Sequence, residues 1–201
     1  MKKNLILVFA LVLAAPALWA QTTQGSLTLG GGFEYYSDKS ENAYGNSDYS
    51  TSSFQFLPNV GYFVVDNLEV GIRFGILSGK SGYQGSNQTK STAFSAGPYA
   101  RYYKFTSNER FAFTGAVGVS FASGKTSNGN FETKTGSVGI SIAPGFAYFL
   151  TERWGLDFQL EGIGFTSYDP NKDVDNNNQK IFSFGINSLS PSLGFRYFIG
   201  K

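Results

Sequence analysis

The sequence predicts an all-β fold, an eight-stranded antiparallel up-and-down transmembrane β-barrel. Three observations support this prediction. Apolar residues alternate with small or polar ones in eight segments, the connections between segments are alternately short and long, and charged residues share a phase with glycine. Side chains of a strand alternate between two faces, so the third observation places the charges inside and the apolar residues outside. A soluble barrel has the opposite polarity.

The first twenty residues, MKKNLILVFALVLAAPALWA, are predicted to be a secretory signal peptide. Two lysines open it, an apolar run follows, and small residues come next. We place cleavage after Ala20, and Ala17 offers an alternative site. The apolar run is shorter than the roughly 20 residues that a membrane-spanning helix needs. We expect residues 21–201 to form a single barrel domain after removal of residues 1–20.

Composition excludes several classes of function. The chain has 16 basic and 14 acidic residues, and without the two lysines of the signal peptide 16 − 2 = 14 basic residues remain, so it is formally neutral. No surface for nucleic acid is expected. Histidine and cysteine are absent. Disulfides, Ser–His and Cys–His nucleophilic sites, and zinc sites built from these ligands are therefore excluded.

Alternation defines the strands in chain order. In the segment LEVGIRF, which begins at Leu68, every second residue is apolar, and Glu69 and Arg73 lie between them. A one-residue β-bulge near Asn187 and Ser188 would reconcile the two phases of the last segment. The predicted strands span residues 26–36, 52–63, 68–77, 92–104, 111–121, 136–149, 154–165 and 181–198.

The connections predict the orientation of the barrel. Every second connection is short, and the others are long and rich in Ser, Asn, Asp, Gly and Lys. In transmembrane barrels the short turns are periplasmic and the long loops extracellular. The short connections are 64–67, 105–110 and 150–153. The predicted extracellular loops are 37–51, 78–91, 122–135 and 166–180.

A repeated pattern, proline followed four residues later by an aromatic residue, occurs on the strands that run toward the short connections. Because proline lacks the N–H that a closed barrel would pair, we expect local bulges at Pro58, Pro98, Pro144 and Pro191. Aromatic rings are expected to form a girdle where the membrane meets water. The predicted members of this girdle are Tyr62, Tyr102, Tyr148, Trp154 and Phe195.

Seven charged residues have the inward phase, four acidic and three basic. An eight-stranded barrel encloses only enough space for side chains, so charges inside it must pair. We predict a lumen filled by an arginine–carboxylate network. A narrow ion path along these charges and an acid–base pair of Asp157 and Glu161 are the alternatives. The predicted network comprises Glu34, Glu69, Arg73, Arg101, Asp157, Glu161 and Arg196.

One loop segment has alternating oxygen ligands, like part of a calcium-binding loop. Val174 stands where the sharp turn requires glycine, and Lys180 stands where a bidentate Glu is needed. We interpret the segment as a solvated acidic loop tip and predict no cofactor. The candidate ligands are Asp169, Asn171, Asp173 and Asp175.

The chain resembles the small outer-membrane β-barrel family of Gram-negative bacteria. The resemblance lies in the signal peptide, the alternating strands, the proline–aromatic repeat, and the segments GYFVVDNL (residues 61–68) and GFRYF (residues 194–198). That family includes porin-family proteins and OmpA-like and OmpX-like barrel domains. The resemblance implies an outer-membrane location, contact with outer-membrane lipid and lipopolysaccharide, and insertion by the barrel assembly machinery. Lys201 departs from the terminal aromatic residue that this machinery usually recognises.

Together these features predict a non-enzymatic, monomeric outer-membrane protein with a side-chain-filled lumen. Its role would be structural, or it would bind a surface ligand through four extracellular loops; the sequence does not identify that ligand. One alternative is a narrow ion-conducting pore. A second is a lipid-modifying barrel enzyme, although the enzymes of that kind need histidine. A third is a soluble lipid-binding barrel, whose apolar faces would point inward.

Overall fold

The computed structural model describes residues 22–40, 48–83, 87–129, 131–160, 162–185 and 192–200. The signal peptide predicted at 1–20 lies outside these ranges. No helix within them is long and apolar enough to cross a membrane. The described residues form ten β-strands: β1 (Leu27–Ser40), β2 (Tyr49–Val65), β3 (Leu68–Tyr83), β4 (Thr89–Phe105), β5 (Phe111–Asn128), β6 (Phe131–Phe149), β7 (Trp154–Gln159), β8 (Ile163–Asp169), β9 (Gln179–Phe184) and β10 (Ser192–Ile199).

One sheet contains all ten strands and closes on itself. Strands β1 to β6 each pair with the next in antiparallel fashion. Strands β7 and β8 follow one another along the same edge of β6, and they pair in turn with β10 and β9. Strand β10 returns to β1, with Leu27 opposite Ile199. The ten segments thus build a closed barrel of eight antiparallel wall strands, which confirms the predicted fold class.

The predicted boundaries of the long loops are wrong, because most of these residues continue the strands. Strands β5 and β6 stay in register as far as Asn128 opposite Phe131, so their connection is 129–130 and not 122–135. Polar residues on both phases made this stretch look like a loop. Beyond a membrane, however, water can solvate both faces of a hairpin, and its backbone ladder continues. The longest connection that lies wholly within the described residues is 170–178.

The seventh wall strand is interrupted between β7 and β8. Gln159 pairs with Gly145 and Ile163 with Ile142, so three residues of this strand face two residues of β6. This one-residue bulge moves the outward phase from even-numbered to odd-numbered residues. The single uninterrupted strand predicted at 154–165 is therefore wrong at its centre.

Two of the four prolines sit in the wall without the bulges that were predicted for them. Gly31 lies opposite Pro58 and Ile72 opposite Pro98, and the register is the same on either side of each pair. On the other edge of each strand the ladder has no pairing at the proline. Pairing on that edge is interrupted at each proline and at the residue before it, but the register is unchanged. The bulge of the seventh wall strand lies beside Pro144. Outside the described residues lie Pro191, Asn187 and Ser188.

The outward phase forms an apolar wall around the barrel. Ile72 and Ile140, in the middle of their strands, are 50% and 49% exposed, and the exposed apolar side chains of the central parts of β2 to β6 share their phase. The exceptions lie at strand ends: Tyr49, Val65, Tyr83 and Phe131. The inward neighbours of Ile72 and Ile140 are Gly71 and Gly139. Water-soluble proteins do not expose apolar surface on this scale, whereas a membrane covers it with hydrocarbon. The soluble lipid-binding barrel, which needs its apolar faces inward, is therefore wrong.

Substitution of a lipid-facing isoleucine by arginine should destabilise the barrel. We expect Ile72→Arg and Ile140→Arg each to lower the free energy of unfolding by roughly 2–4 kcal/mol, the cost of a cation at the bilayer midplane. The measurement is the urea midpoint for unfolding in lipid vesicles. Thr114→Ser and Ser141→Thr, which keep a small inward hydroxyl, are the controls and should move it little. Arginine variants as stable as the parent would show that these positions do not face hydrocarbon.

Candidate functional site

Four charged side chains from four strands meet inside the barrel. Arg196 on β10 lies at the centre, with its Nη1 2.5 Å from Glu69 Oε1 and its Nε 2.7 Å from Asp157 Oδ2. Arg101 on β4 joins the same Asp157 oxygen at 2.6 Å. The Arg196 and Glu69 side chains are 1% and 0% exposed. Two guanidinium groups therefore balance two carboxylates in a continuous chain of ion pairs, Glu69–Arg196–Asp157–Arg101, across the lumen, which we call the lumen network.

Hydroxyl groups complete the surroundings of Glu69. Thr28 and Tyr99 donate to its Oε1 at 2.7 and 2.5 Å, and Tyr103 donates to its Oε2 at 2.8 Å. With Arg196, the carboxylate thus has four donors, which come from β1, β4 and β10. A buried carboxylate is tolerated only when its oxygens are satisfied in this way. Tyr103 could have been found from the sequence, since its neighbour Tyr102 has the outward phase.

Inward glycines provide the space for these groups. A Cβ at position 61 would collide with the Glu69 carboxylate, and a Cβ at position 71 would collide with the Tyr99 ring and with the backbone of β2. Any side chain at these positions would displace the network. The mixture of glycine and charge on one phase therefore reflects packing: the small residues make room for the large charged ones.

A layer of aromatic rings seals the lumen below the network, at the end of the short connections. Phe63, Tyr103, Phe149 and Phe198 have exposures of 0–1%. The Phe149 and Phe198 ring centroids are 5.2 Å apart, and those of Phe63 and Tyr103 are 5.7 Å apart. Phe105 packs against Phe149. We call these rings the aromatic floor. Alternation alone gives no signal for this floor, because it assigns the apolar residues to the outer wall.

The floor and the outer girdle come from the same aromatic pairs. Tyr62, Tyr102 and Tyr148 are exposed on the outer wall, and the residue that follows each of them lies in the floor. On β10 the outer member is Tyr197, which packs on Trp154 with centroids 5.0 Å apart, and the inner member is Phe198. The remaining predicted girdle residue, Phe195, is exposed two residues further from the short connections.

Three predicted members of the lumen network stand apart from it. Glu34 is exposed on the outer half of β1, where it lies opposite Gln55 and forms no ion pair with a described residue. Strand β1 carries it beyond the level at which Arg196 and Glu69 meet, so the structure does not place it in the network. Arg73 is half-buried over the Tyr99 ring at 5.3 Å and has no ion pair within the described ranges. Glu161 lies outside them.

The outer half of the lumen is different in character. The inward phase of β5 and β6 toward the long connections carries small residues. Ser120 and Ser141 belong to this inward phase but are exposed, whereas Ala116 and Ala143, nearer the short connections, are buried. Water therefore reaches the lumen from the outer end and stops at the network and the floor.

The proposed calcium ligands use their oxygens within the loop itself. Asp169 Oδ1 accepts the N–H of Asn171 at 3.1 Å, and Asn171 Oδ1 accepts the N–H of Asp173 at 3.0 Å. Such bonds are typical of Asx turns. In the part of the chain that the structure describes, no three His, Cys, Asp or Glu side chains are grouped as a metal site would require. Asp175 is exposed in the same loop.

Removal of Arg196 should cost far more than removal of Arg73. Arg196→Met leaves Glu69 and part of Asp157 buried without a cation, so we expect a loss of roughly 3–5 kcal/mol in the free energy of unfolding. Arg73→Met removes a cation–π contact and should cost about 1 kcal/mol or less. The urea midpoint in lipid vesicles measures both. Equal losses for the two variants would contradict the central position of Arg196.

Comparison with known proteins agrees with this architecture. The chain matches the family described as outer membrane protein β-barrel domain over residues 5–187. No curated protein matches it.

Three similar solved structures share 14–15% identity with the chain. The N-terminal β-barrel domain of OprF from Pseudomonas aeruginosa has a TM-score of 0.43, with 88% of this chain and 98% of that chain covered. OprG from the same organism has a TM-score of 0.45 with 89% and 98% covered. Neisserial surface protein A has a TM-score of 0.47 with 87% and 97% covered. Since the family match spans most of the sequence, the chain belongs to the outer-membrane β-barrel domain family.

Proposed function

We propose that this protein is a non-enzymatic, monomeric outer-membrane barrel that is sealed at its periplasmic end and acts through its extracellular hairpins. The observation that carries the proposal is the continuous seal formed by the lumen network and the aromatic floor. Arg196, Glu69, Phe63, Tyr103, Phe149 and Phe198 are all at most 1% exposed. A barrel closed in this way offers no passage of porin width, which leaves its outer surfaces as the parts that can bind.

The charged groups of the lumen support a structural role for them. Asp157 shares one oxygen between Arg101 and Arg196, and Glu69 has four donors. A general acid or base must be able to approach a substrate; both oxygens of Glu69 are taken by buried donors, and Asp157 is held by two arginines. The sequence also contains no histidine or cysteine to activate a nucleophile. A lipid-modifying enzyme is therefore the weaker alternative.

A narrow ion path is the second candidate function. It is favoured by the exposure of Ser120 and Ser141 in the outer half of the lumen, which leaves only the network and the floor between that water and the periplasm. A transient break in the Arg196–Glu69 pair would have to coincide with movement of the floor rings to open such a path.

Planar-bilayer recording distinguishes the two functions. We expect the purified protein to show no steady conductance of porin size, because two layers of buried side chains block the lumen. Phe149→Ala combined with Phe198→Ala removes two of the five floor rings and should produce brief openings of small conductance. Outer-wall Phe113→Ala is the matched control and should remain silent. A steady open channel in the parent protein would disprove the sealed barrel.

Orientation is tested by labelling of intact cells with an impermeant maleimide. Single cysteines at Asn128 and Asp175, exposed at the long-connection end, should react. Cysteines at Glu109 and Arg153, exposed at the short-connection end, should react only after the outer membrane is permeabilised. The reverse pattern would place the sealed end outside the cell and would invert the proposed topology.

A further inference from the structure

Arg73 stands in the lumen outside the lumen network. Arg101 and Arg196 pair with carboxylates, whereas Arg73 forms no hydrogen bond or ion pair with a described residue. Its guanidinium carbon lies 5.3 Å from the centroid of the Tyr99 ring, and its side chain is half-buried. A ring beneath a guanidinium covers one face of the group and leaves the N–H donors along its edge available to an anion.

Unpaired cationic donors lie on both sides of Tyr99. Gly71 is opposite Tyr99 and Arg73 is opposite Gly97, so Arg73 is one inward position nearer the long connections than Tyr99. Arg101, two residues along β4 in the other direction, is 5% exposed. Its Nε is the one buried side-chain nitrogen or oxygen of the described residues that has no hydrogen-bond partner. The lumen therefore has more donors than acceptors at this level.

The described carboxylates of the lumen do not pair with Arg73. Those of the lumen network bind the two arginines of the network. Glu34 shares the inward phase but lies too far out. Asn59 is opposite both Arg73 and Gly30, so Gly30 is the residue of β1 in the row of Arg73. Glu34 is four residues beyond Gly30, or about 13 Å along the strand.

Small and hydroxyl-bearing residues continue the row of Arg73 around the outer lumen. The row passes through Gly97 to Ser120, Gly139 and Thr166, and a Cβ at Gly97 would lie 2.9 Å from Ser120 Cα. A Cβ at Gly139 would lie 3.0 Å from Thr166 Oγ1 and 3.2 Å from Ser120 Oγ, so both hydroxyls flank one glycine. Ser120 is exposed, and a solute can therefore reach this row from water.

We propose that the outer half of the lumen binds a small carboxylate at Arg73. The planar guanidinium matches the two oxygens of a carboxylate, and one unpaired cation matches a single negative charge. The width of an eight-stranded barrel admits only a small ligand. Low-dielectric walls around the site strengthen the attraction of an anion. This site is separate from the hairpins of the proposed function, and binding to purified protein is independent of orientation.

The direct test is a titration of protein with ¹⁵N-labelled arginine in zwitterionic detergent. Sodium formate is the probe, and sodium chloride keeps the ionic strength constant. We expect the Nε–H signal of Arg73, assigned by its loss in Arg73→Met, to shift to a plateau. The signals of Arg110 and Arg153, exposed at the short-connection end, should show no plateau. A shift of Arg73 that stays proportional to formate, like that of Arg153, would indicate a solvated arginine and overturn the proposal.

Stability in lipid vesicles provides the second readout. Formate at about tenfold its half-saturation concentration should raise the urea midpoint of the parent, because only the folded lumen binds it. Arg73→Lys keeps the charge and loses the planar fork, so its affinity should fall about tenfold. Arg73→Met should gain no stability from formate. Arg110→Met, at the opposite end, is the matched control and should gain as much as the parent. An equal gain in Arg73→Met would overturn the proposal.

Glu161, which lies outside the described residues, is tested as an internal competitor for Arg73. We expect Glu161→Gln to give the same formate plateau as the parent. A plateau that appears only in Glu161→Gln would mean that the chain supplies its own carboxylate to Arg73, and the proposed site would be wrong.

Discussion

The structure depends on one constraint: a carboxylate, Glu69, buried in a lumen too narrow for water to satisfy it. Its charge requires Arg196 from the strand that closes the barrel, and Arg196 in turn requires Asp157 and Arg101. Because the partners come from β3, β4, β7 and β10, the network forms fully only when the wall strands are in their final register. The ion pairs of the lumen network thus fill the interior and also depend on closure of the barrel.

The aromatic pairs at the ends of the strands supply both the outer girdle and the aromatic floor inside the lumen. In a strand, consecutive residues point to opposite faces. A pair such as Tyr62–Phe63 therefore sends one ring to the membrane interface and the next into the lumen. Four strands end in this way, so the girdle outside and the floor inside lie at the same end of the barrel. The proline–aromatic repeat of the sequence therefore marks the position of both the girdle and the floor.

Features that follow from the period-two alternation could be predicted from the sequence. Features that depend on how the strands are staggered around the barrel could not. The number of wall strands and the lipid-facing phase follow from alternation alone. The ends of the strands do not, since outside the membrane both faces are polar and apolar residues no longer alternate with polar ones. Glu34 and Glu69 have the same phase, but only the strand stagger decides which of them reaches Arg196. The bulge before Ile163 has no clear sequence signal either, because glycine and polar residues surround it.

The two ends of the lumen differ in what a substitution costs, and this difference bears on function. At the sealed end every polar atom of Glu69 is buried, so the loss of one partner leaves a group that water cannot reach, at a cost of roughly 1–3 kcal/mol or more. At the outer end Ser120 and Ser141 are exposed, and water replaces whatever a substitution removes. The hairpins beyond them can therefore change their chemistry without endangering closure of the barrel. The proposed binding surfaces therefore lie where the fold tolerates change, in the half of the barrel that carries the long connections.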